Sequence, residues 1–250
     1  MKLLPMLSVV LPALLLSAAA QAVPSAMFKV STFDDLDDGE PRGTFVSSEG
    51  EIVAGRSTRA LPKVNAAMVW SSARAKDGTV YFGTGDEGRI LAVKGDVVRE
   101  VARLGDALLV TSLAVGPGGK LLAGTMPGAR ILQVDPRGGK WRELAKLDAE
   151  HVWGLVHDPR TRRIYAASGA PGKVFWLPAA GGKARVHFDP GEKHLICLRT
   201  DGRGNLLTGS AEKAILYRVD RTGKGTAIHD FDATELRDVA VGSDGTLWMA

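Results

Sequence analysis

The strongest constraint on the fold of this chain is a sequence unit that recurs every 41 to 43 residues. The unit is visible from Asp77 to Thr84, which reads DGTVYFGT, and again from Lys120 to Thr125, which reads KLLAGT. A period of this length, built from short apolar runs and turn residues, is typical of a β-propeller. Because β-propellers include enzymes, receptors and scaffolds, the repeat predicts an architecture and leaves the function open.

The innermost strand of each unit can be aligned without gaps. The alignment starts at five positions spaced 41, 42, 41 and 43 residues apart, namely Trp70, Thr111, Trp153, His194 and Arg237. Three residues later, the same alignment gives a column of mostly small residues: Ala73, Ala114, Val156, Cys197 and Ala240. Small residues are expected where inner strands crowd around a propeller axis. The column therefore predicts that Cys197 is a small core residue and not a reactive thiol.

The other strands of each unit follow the same order. Tight turns such as Asp77-Gly78 precede a second strand that ends at Gly-Thr or an equivalent pair, and a basic residue precedes the third strand. These basic residues are Arg89, Arg130, Lys173 and Lys213, and we expect them to be solvated or ion-paired at the blade edge. The pattern predicts an all-β protein, a β-propeller of four-stranded antiparallel blades with about 41 to 43 residues per repeat, without a helix of consequence.

The repeats account for residues 43–250, with four complete units and part of a fifth. Residues 43–55 read as two short strands, which we expect to complete the last blade and remove its exposed edge. Two arrangements remain open: a five-bladed ring closed in this way, or an incomplete N-terminal portion of a six- or seven-bladed ring, which we favour. Residues 23–42, which include the acidic run from Asp34 to Glu40, are predicted to be a flexible lead-in.

The N-terminus has the features of a secretory signal peptide over residues 1–22. A lysine is followed by a short apolar stretch and by small residues at Ala20 and Ala22, so cleavage after Ala22 is expected. The mature chain is then expected to be exported, to the periplasm or the extracellular space, without a transmembrane segment. Cys197 is the one cysteine of the chain, so no intramolecular disulfide can form.

The charge of the chain does not favour a nucleic-acid partner. The formal net charge is +4, and the 32 basic residues are scattered through the repeats instead of forming a block. Nucleic-acid binding is expected from clustered basic residues with aromatic residues between them, and export also makes it a poor prediction. We expect no nucleic-acid partner.

The sequence of the third repeat resembles that of known protein families. The segment VWGL from Val152, followed by Asp158-Pro159 and by RIYAASG from Arg163, resembles the WD-repeat-like, NHL-like and gluconolactonase-like propellers of bacteria. The Trp-Asp dipeptides of true WD repeats are absent. Similarity to gluconolactonase-like enzymes would imply a calcium or zinc ion held by an acidic residue, two asparagines and an aspartate. This sequence has only Asn65 and Asn205, and Asn205 falls in a turn at the opposite end of a blade.

The channel mouth, where chains enter the inner strands, is the expected ligand site of a propeller. The predicted binding residues at these positions are Trp70, His151, Trp153, Glu192, His194, Glu235 and Arg237. The favoured function is a non-catalytic, exported binding or scaffold module for a protein, peptide or glycan, with no cofactor. The alternative is a metal-dependent hydrolase or lactonase whose ion or acid and base would be held at the axis by His151, His194, Glu192 and Glu235.

Overall fold

The computed structural model describes residues 32–37, 39, 42–55, 61 and 66–250. The chain divides into two compact units, residues 1–60 and 61–250. The predicted signal peptide over residues 1–22, its cleavage site and Asn65 lie outside the described residues.

Among its described residues, the first unit contains one short helix and one hairpin. Helix α1 (Phe33–Asp37) is capped by Thr32, whose hydroxyl accepts a hydrogen bond from the Asp35 amide at 3.3 Å while the Asp35 carboxylate accepts one from the Thr32 amide at 3.1 Å. This reciprocal capping box forms a helical turn inside the acidic lead-in, where the sequence predicted none. Strands β1 (Thr44–Val46) and β2 (Ile52–Ala54) pair antiparallel. Their proposed role in completing a blade stays a prediction.

The second unit begins with two separate four-stranded sheets. Blade 1 consists of β3 (Val69–Arg74), β4 (Val80–Thr84), β5 (Arg89–Lys94) and β6 (Val97–Arg103). Blade 2 consists of β7 (Leu109–Val115), β8 (Leu121–Met126), β9 (Arg130–Val134) and β10 (Trp141–Lys146), with a 3-10 turn at Pro117–Gly119. Within each blade every strand pairs antiparallel with the next one along the chain, as predicted.

Blades 3 and 4 are joined into one six-stranded sheet. Its strands are β11 (His151–Asp158), β12 (Arg163–Pro178), β13 (Arg185–Thr200), β14 (Leu206–Ser210), β15 (Ile215–Val219) and β16 (Gly225–Asp230). Residues 185–189 of β13 belong to blade 3, and residues 194–200 form the inner strand of blade 4. The two blades are continuous because pairing persists through the connection, with Gly169 opposite His194 and Gly172 opposite Glu192. Strands β17 (Val239–Val241) and β18 (Leu247–Met249) pair as the start of a fifth unit.

The inner strands follow one another around an axis, because β7 contacts both β3 and β11, while β13 contacts β11 and β17. Four apolar clusters fill the seams between successive sheets. Alternation along β8 shows how one blade serves two seams: Leu121 packs toward blade 1 and Leu122 toward blade 3, and both are fully buried. Burial of each such side chain contributes about 1.5–3 kcal/mol to folding. The structure confirms the predicted all-β propeller fold.

The polar residues of the repeat have structural partners. In the first turn, Asp77 accepts a hydrogen bond from the Thr79 amide at 3.1 Å, and Gly78 adopts a φ of 84°, which favours glycine. The hydroxyl residues that end the second strands are fully buried and hydrogen-bond the backbone of the following loop, as seen for Thr84, Thr125, Ser168 and Ser210. The basic residues after these loops are ion-paired, as expected: Arg89 with Asp86, Arg130 with Asp106, Lys173 with Asp189 and Lys213 with Glu192.

Candidate functional site

Each inner strand contains a β-bulge near the channel mouth. The register shifts by one residue at the same place in four blades, at Trp70, Thr111, Trp153 and Ile196. The gapless alignment, which put His194 in this column, is therefore wrong by two residues in blade 4. The bulge of blade 4 lies at Ile196, two residues after His194, so the connection into blade 4 is two residues longer than the alignment allowed.

The corrected register places His151 and His194 in equivalent positions. His151 lies opposite Gly169 in its own blade, and the carbonyl of His194 accepts a hydrogen bond from Ala211 in the same position of the next blade. Glu235 forms a bridge with Ala211, as His194 does with Gly169, so it continues the series into the fifth unit. The series runs around the mouth of the channel as two histidines followed by one glutamate.

His151, Trp153 and His194 form an aromatic cluster at this mouth. The ring centroids of the two histidines are 6.0 Å apart with an interplanar angle of 22°, and Trp153 lies 5.0 Å from His151 and 6.2 Å from His194. The Trp153 Nε1–H donates a hydrogen bond to His194 Nδ1 at 3.3 Å. Gly169 makes this approach possible, because a Cβ at that position would overlap Trp153 Nε1 and His194 Nδ1.

The surroundings of His194 favour its neutral imidazole. Burial lowers the pKa of His194 below its usual range, and the neighbouring His151 and Lys193 lower it further. His151 lies 3.6 Å from a Glu150 carboxylate oxygen through Nε2, while its Nδ1 is buried without a hydrogen-bond partner among the described residues. A buried polar atom of this kind can still accept or donate one hydrogen bond.

An open cavity of about 590 Å³ lies beside the cluster, along the inner strands. Its lining comes from all five sequence repeats. The lining residues are Trp70, Ser71, Ser72, Thr111, Ser112, Leu113, Trp153, Gly154, Leu155, His194, Ile196, Cys197, Arg199, Ala211, Glu235, Arg237 and Asp238. One side of the cavity is aromatic, and the other carries the ion pairs Glu235–Arg237 and Arg199–Asp238. The volume is within the range of pockets that hold small ligands.

The structure brings together most of the predicted binding residues. Trp70, Trp153, His194, Glu235 and Arg237 line the cavity.

His151 is not part of the cavity lining but contacts two of the lining residues, Trp153 and His194. Glu192 lies elsewhere, because its buried carboxylate accepts a hydrogen bond from the Tyr217 hydroxyl at 2.9 Å and lies 3.5 Å from Lys213 Nζ. Its isolation follows from the corrected register of blade 4.

Six polar residues of the lining were not among the predicted binding residues: Ser71, Ser72, Thr111, Ser112, Arg199 and Asp238. Ser71, Ser112 and Asp238 follow the bulge position in blades 1, 2 and 5, and Arg199 pairs with Asp238 at 2.7 Å. Ser71 donates to the Val110 carbonyl at 2.7 Å, whereas the Ser112 hydroxyl is buried without a partner among the described residues. A polar or small residue directly after each bulge column is visible in the sequence and would have indicated Ser71, Ser112 and Asp238.

The described residues do not form the calcium or zinc site that similarity to gluconolactonase-like enzymes would imply. Among the described residues, no three His, Cys, Asp or Glu side chains come together as a metal site, and Glu192 lies with Tyr217 and Lys213, apart from the stacked His151 and His194. Asn205 belongs to a turn, where its side-chain amide donates to Asp201 at 2.6 Å.

The fold is similar to that of many solved propellers. A streptogramin B lyase structure matches with a TM-score of 0.64 and 18% identity, over 76% of this chain and 64% of that one. A nidogen/laminin complex gives a TM-score of 0.59 and 17% identity, over 75% and 70%. A gluconolactonase from Xanthomonas campestris gives 0.60 and 14%, over 71% and 67%. The chain spans less than two thirds of the length of the streptogramin B lyase structure.

Because the sequence identities are below one fifth, these similarities establish the β-propeller fold alone. No protein-family profile matches the sequence, and no curated protein matches it. Within the described part of the chain, no helix has the length and apolar character needed to cross a bilayer.

Proposed function

We propose that this propeller is an exported, non-catalytic binding module that holds a peptide, glycan or protein segment at the mouth of its channel. The observation that carries the proposal is the cavity of about 590 Å³, which combines exposed indole and imidazole rings with charged side chains. Small-ligand sites in proteins are concave and mix apolar walls with a few convergent polar groups.

The aromatic wall fits a ligand with a flat apolar face. Trp70 is 46% exposed although it lies at the cavity, so part of its ring is available for stacking. Trp153 is half-buried and is fixed by His194 and by the close approach of Gly169. Sugar rings and aromatic or proline side chains pack well on such surfaces, because indole offers a large apolar area at a low entropy cost.

The charged wall fits the polar groups of the same ligand. Arg237 is largely exposed and pairs with Glu235, and Arg199 pairs with Asp238 across the seam between blade 4 and the fifth unit. Paired charges of this type can exchange partners with a ligand at a small net cost. A peptide backbone or a glycan with hydroxyl and acidic groups supplies both kinds of contact.

The test is a binding screen of the purified mature chain against panels of peptides and oligosaccharides, followed by calorimetric titration of the ligands found. Trp70→Ala and Arg237→Ala should each weaken binding at least about tenfold, as expected for central contact residues. Trp248→Ala is the matched control, because Trp248 is 68% exposed and is not part of the cavity lining. Equal weakening by Trp248→Ala would overturn the assignment to the channel mouth. Export is tested separately, by cell fractionation and by mass determination of a mature N-terminus at Val23.

The alternative, a metal-dependent hydrolase or lactonase, is kept for one observation. His151 and His194 stack at the channel mouth and His151 Nδ1 is buried without a partner among the described residues. Elemental analysis of the purified protein decides between the two functions. A stoichiometric metal that is lost in the His151→Ala/His194→Ala variant would favour the enzyme, whereas retained metal in that variant would reject this site.

A further inference from the structure

The turn side of blades 3 and 4 carries a row of arginines. The turn side is the end of the blades at which the inner strands finish, opposite the channel mouth. Arg162 and Arg163 follow the inner strand of blade 3, and Arg185 begins its outer strand. Arg203 and Arg221 lie in the two turns of blade 4 on the same side. These five residues are called the arginine row below.

Two members of the row share one indole ring. The Arg163 guanidinium carbon lies 4.0 Å from the centroid of Trp176, and that of Arg185 lies 5.4 Å from it. Trp176 pairs directly with Arg185 across the sheet. Contact with an aromatic ring orients a guanidinium group while leaving its N–H edge free to bind a planar anion. Trp176 therefore holds both arginines ready to bind.

Two contacts across the seam bring the turn sides of blades 3 and 4 together. His187 of blade 3 hydrogen-bonds the Asp220 carbonyl at 3.1 Å, and Arg160 donates to the Gly202 carbonyl at 3.5 Å.

Within blade 4 the row is held by a contact between its two turns. Arg221 donates a hydrogen bond to the Arg203 carbonyl at 2.9 Å.

The carboxylates of the aspartates in these turns accept hydrogen bonds from backbone amides. Asp158 accepts from the Arg160 amide at 2.9 Å, Asp201 from the Arg203 amide at 2.8 Å and Asp220 from the Thr222 amide at 2.8 Å. Within the described residues, no salt bridge joins a member of the arginine row to an acidic side chain. The guanidinium groups of the row are thus without a direct ion pair in the described part of the chain.

The channel-mouth side of the same blades is different. Lys173 there pairs with Asp189 at 2.8 Å, and Lys193 pairs with Glu212 at 3.2 Å. These two lysines are ion-paired, whereas the members of the arginine row are not.

We propose that the arginine row is a second binding surface, separate from the channel mouth, and that its partner is an anionic polysaccharide. A linear polymer with acidic groups on successive sugars can meet several guanidinium groups along one seam, and each fork of N–H donors matches a carboxylate or sulfate. The expected export of the chain would place it among such polymers. The proposal does not depend on the ligand of the channel mouth.

The test compares binding of the full chain to dextran sulfate, polygalacturonate and neutral dextran at increasing salt. We expect binding to both charged polymers, none to neutral dextran, and an affinity that falls with salt as counterions compete. Arg163→Gln/Arg185→Gln should weaken binding at least about tenfold, because charge-assisted hydrogen bonds are the strongest contacts of such a complex. Arg162→Gln/Arg203→Gln should also weaken it, and these exposed residues carry no packing on Trp176.

The matched control is Arg74→Gln/Arg137→Gln, which removes the same charge from the turn side of blades 1 and 2. Equal weakening by this control would mean that binding is general electrostatic attraction, and would overturn the site. Absence of binding to either charged polymer would overturn the proposal. Binding to vesicles containing phosphatidylglycerol without binding to the polymers would also overturn it, in favour of a membrane surface. Circular dichroism and thermal unfolding of each variant show whether it is folded.

Discussion

The indole Nε1–H of Trp153 donates a hydrogen bond to Nδ1 of His194, 3.3 Å away across the seam between blades 3 and 4. An indole N–H can only donate, so Nδ1 accepts and the proton of the neutral imidazole resides on Nε2. Protonation of His194 at Nδ1 would break this bond. The contact thereby links the shape of the aromatic wall to the charge state of one histidine.

The first prediction concerns the pH dependence of stability. Burial lowers the pKa values of both His194 and His187 in the folded chain, so the unfolded chain binds more protons at mildly acidic pH. Stability should be highest above the ordinary histidine pKa of about 6.5 and should fall as the pH drops through it. Melting temperatures between neutral and mildly acidic pH should show a shallower slope for His194→Gln than for the parent chain. An unchanged slope in His194→Gln would contradict the assignment.

A second prediction tests the close packing at Gly169. Gly169→Ala would drive a methyl group into Trp153 Nε1 and His194 Nδ1, so the seam must shift. We expect a loss of about 1–3 kcal/mol in the free energy of unfolding and a change in tryptophan fluorescence. Gly138→Ala is the control, since no heavy atom lies within 4 Å of its added Cβ. Equal urea midpoints for the two variants would show that the seam accommodates a methyl group at position 169 without loss of stability.

The third prediction concerns the buried hydroxyls that hold the loops at the channel mouth. Ser168 donates to the Pro171 carbonyl at 2.6 Å and accepts from the Lys173 amide at 3.1 Å. Ser168→Ala should cost about 1–3 kcal/mol in urea unfolding, because it leaves a buried amide unpaired. The same change at exposed Ser243 should have no measurable effect. A Ser168→Ala variant as stable as the parent would mean that water or a neighbour replaces the hydroxyl.

A fourth prediction separates Glu192 from the binding residues. Its carboxylate accepts a hydrogen bond from Tyr217, and burial together with this contact raises the pKa of the tyrosine above its usual range. Glu192→Gln should lower that pKa, which can be followed by tyrosinate absorbance, whereas exposed Glu143→Gln should not. Glu192→Ala should destabilise the fold by about 1–3 kcal/mol. A ligand of the channel mouth should bind this variant as tightly as the parent; weaker binding by the folded variant would return Glu192 to the site.

The fifth prediction uses Cys197, the one cysteine, as a probe of the seam before the fifth unit. Burial raises the pKa of its thiol to about 11, so a disulfide reagent should label the native chain very slowly at mildly alkaline pH. Val239→Ala, in the same apolar cluster, should speed labelling by loosening that seam. Val134→Ala, buried between blades 1 and 2, is the control. Equal acceleration in both variants would indicate that labelling follows global unfolding.

The sequence predicted the blades well and the channel mouth less well. The period, the turn residues and the alternation of apolar residues predicted strands, order and pairing, because each is a local property of the chain. The column assigned to His194 was wrong because the bulge of blade 4 lies at Ile196, and a connection two residues longer cannot be seen from strand patterns alone. The helical turn capped by Thr32 was missed because five residues carry no periodicity.

The sequence by itself determined the architecture of residues 66–250 and the polar character of the turns and loops, since repeated local signals specify a repeated unit. Only the tertiary structure decided which side chains meet across a seam. In that structure His151 stacks on His194, and Glu192 contacts Tyr217 away from the cavity. Arg163 and Arg185 lie against the ring of Trp176. Such contacts join residues of different strands and blades, and the register that fixes them depends on loop lengths and close packing that no single repeat encodes.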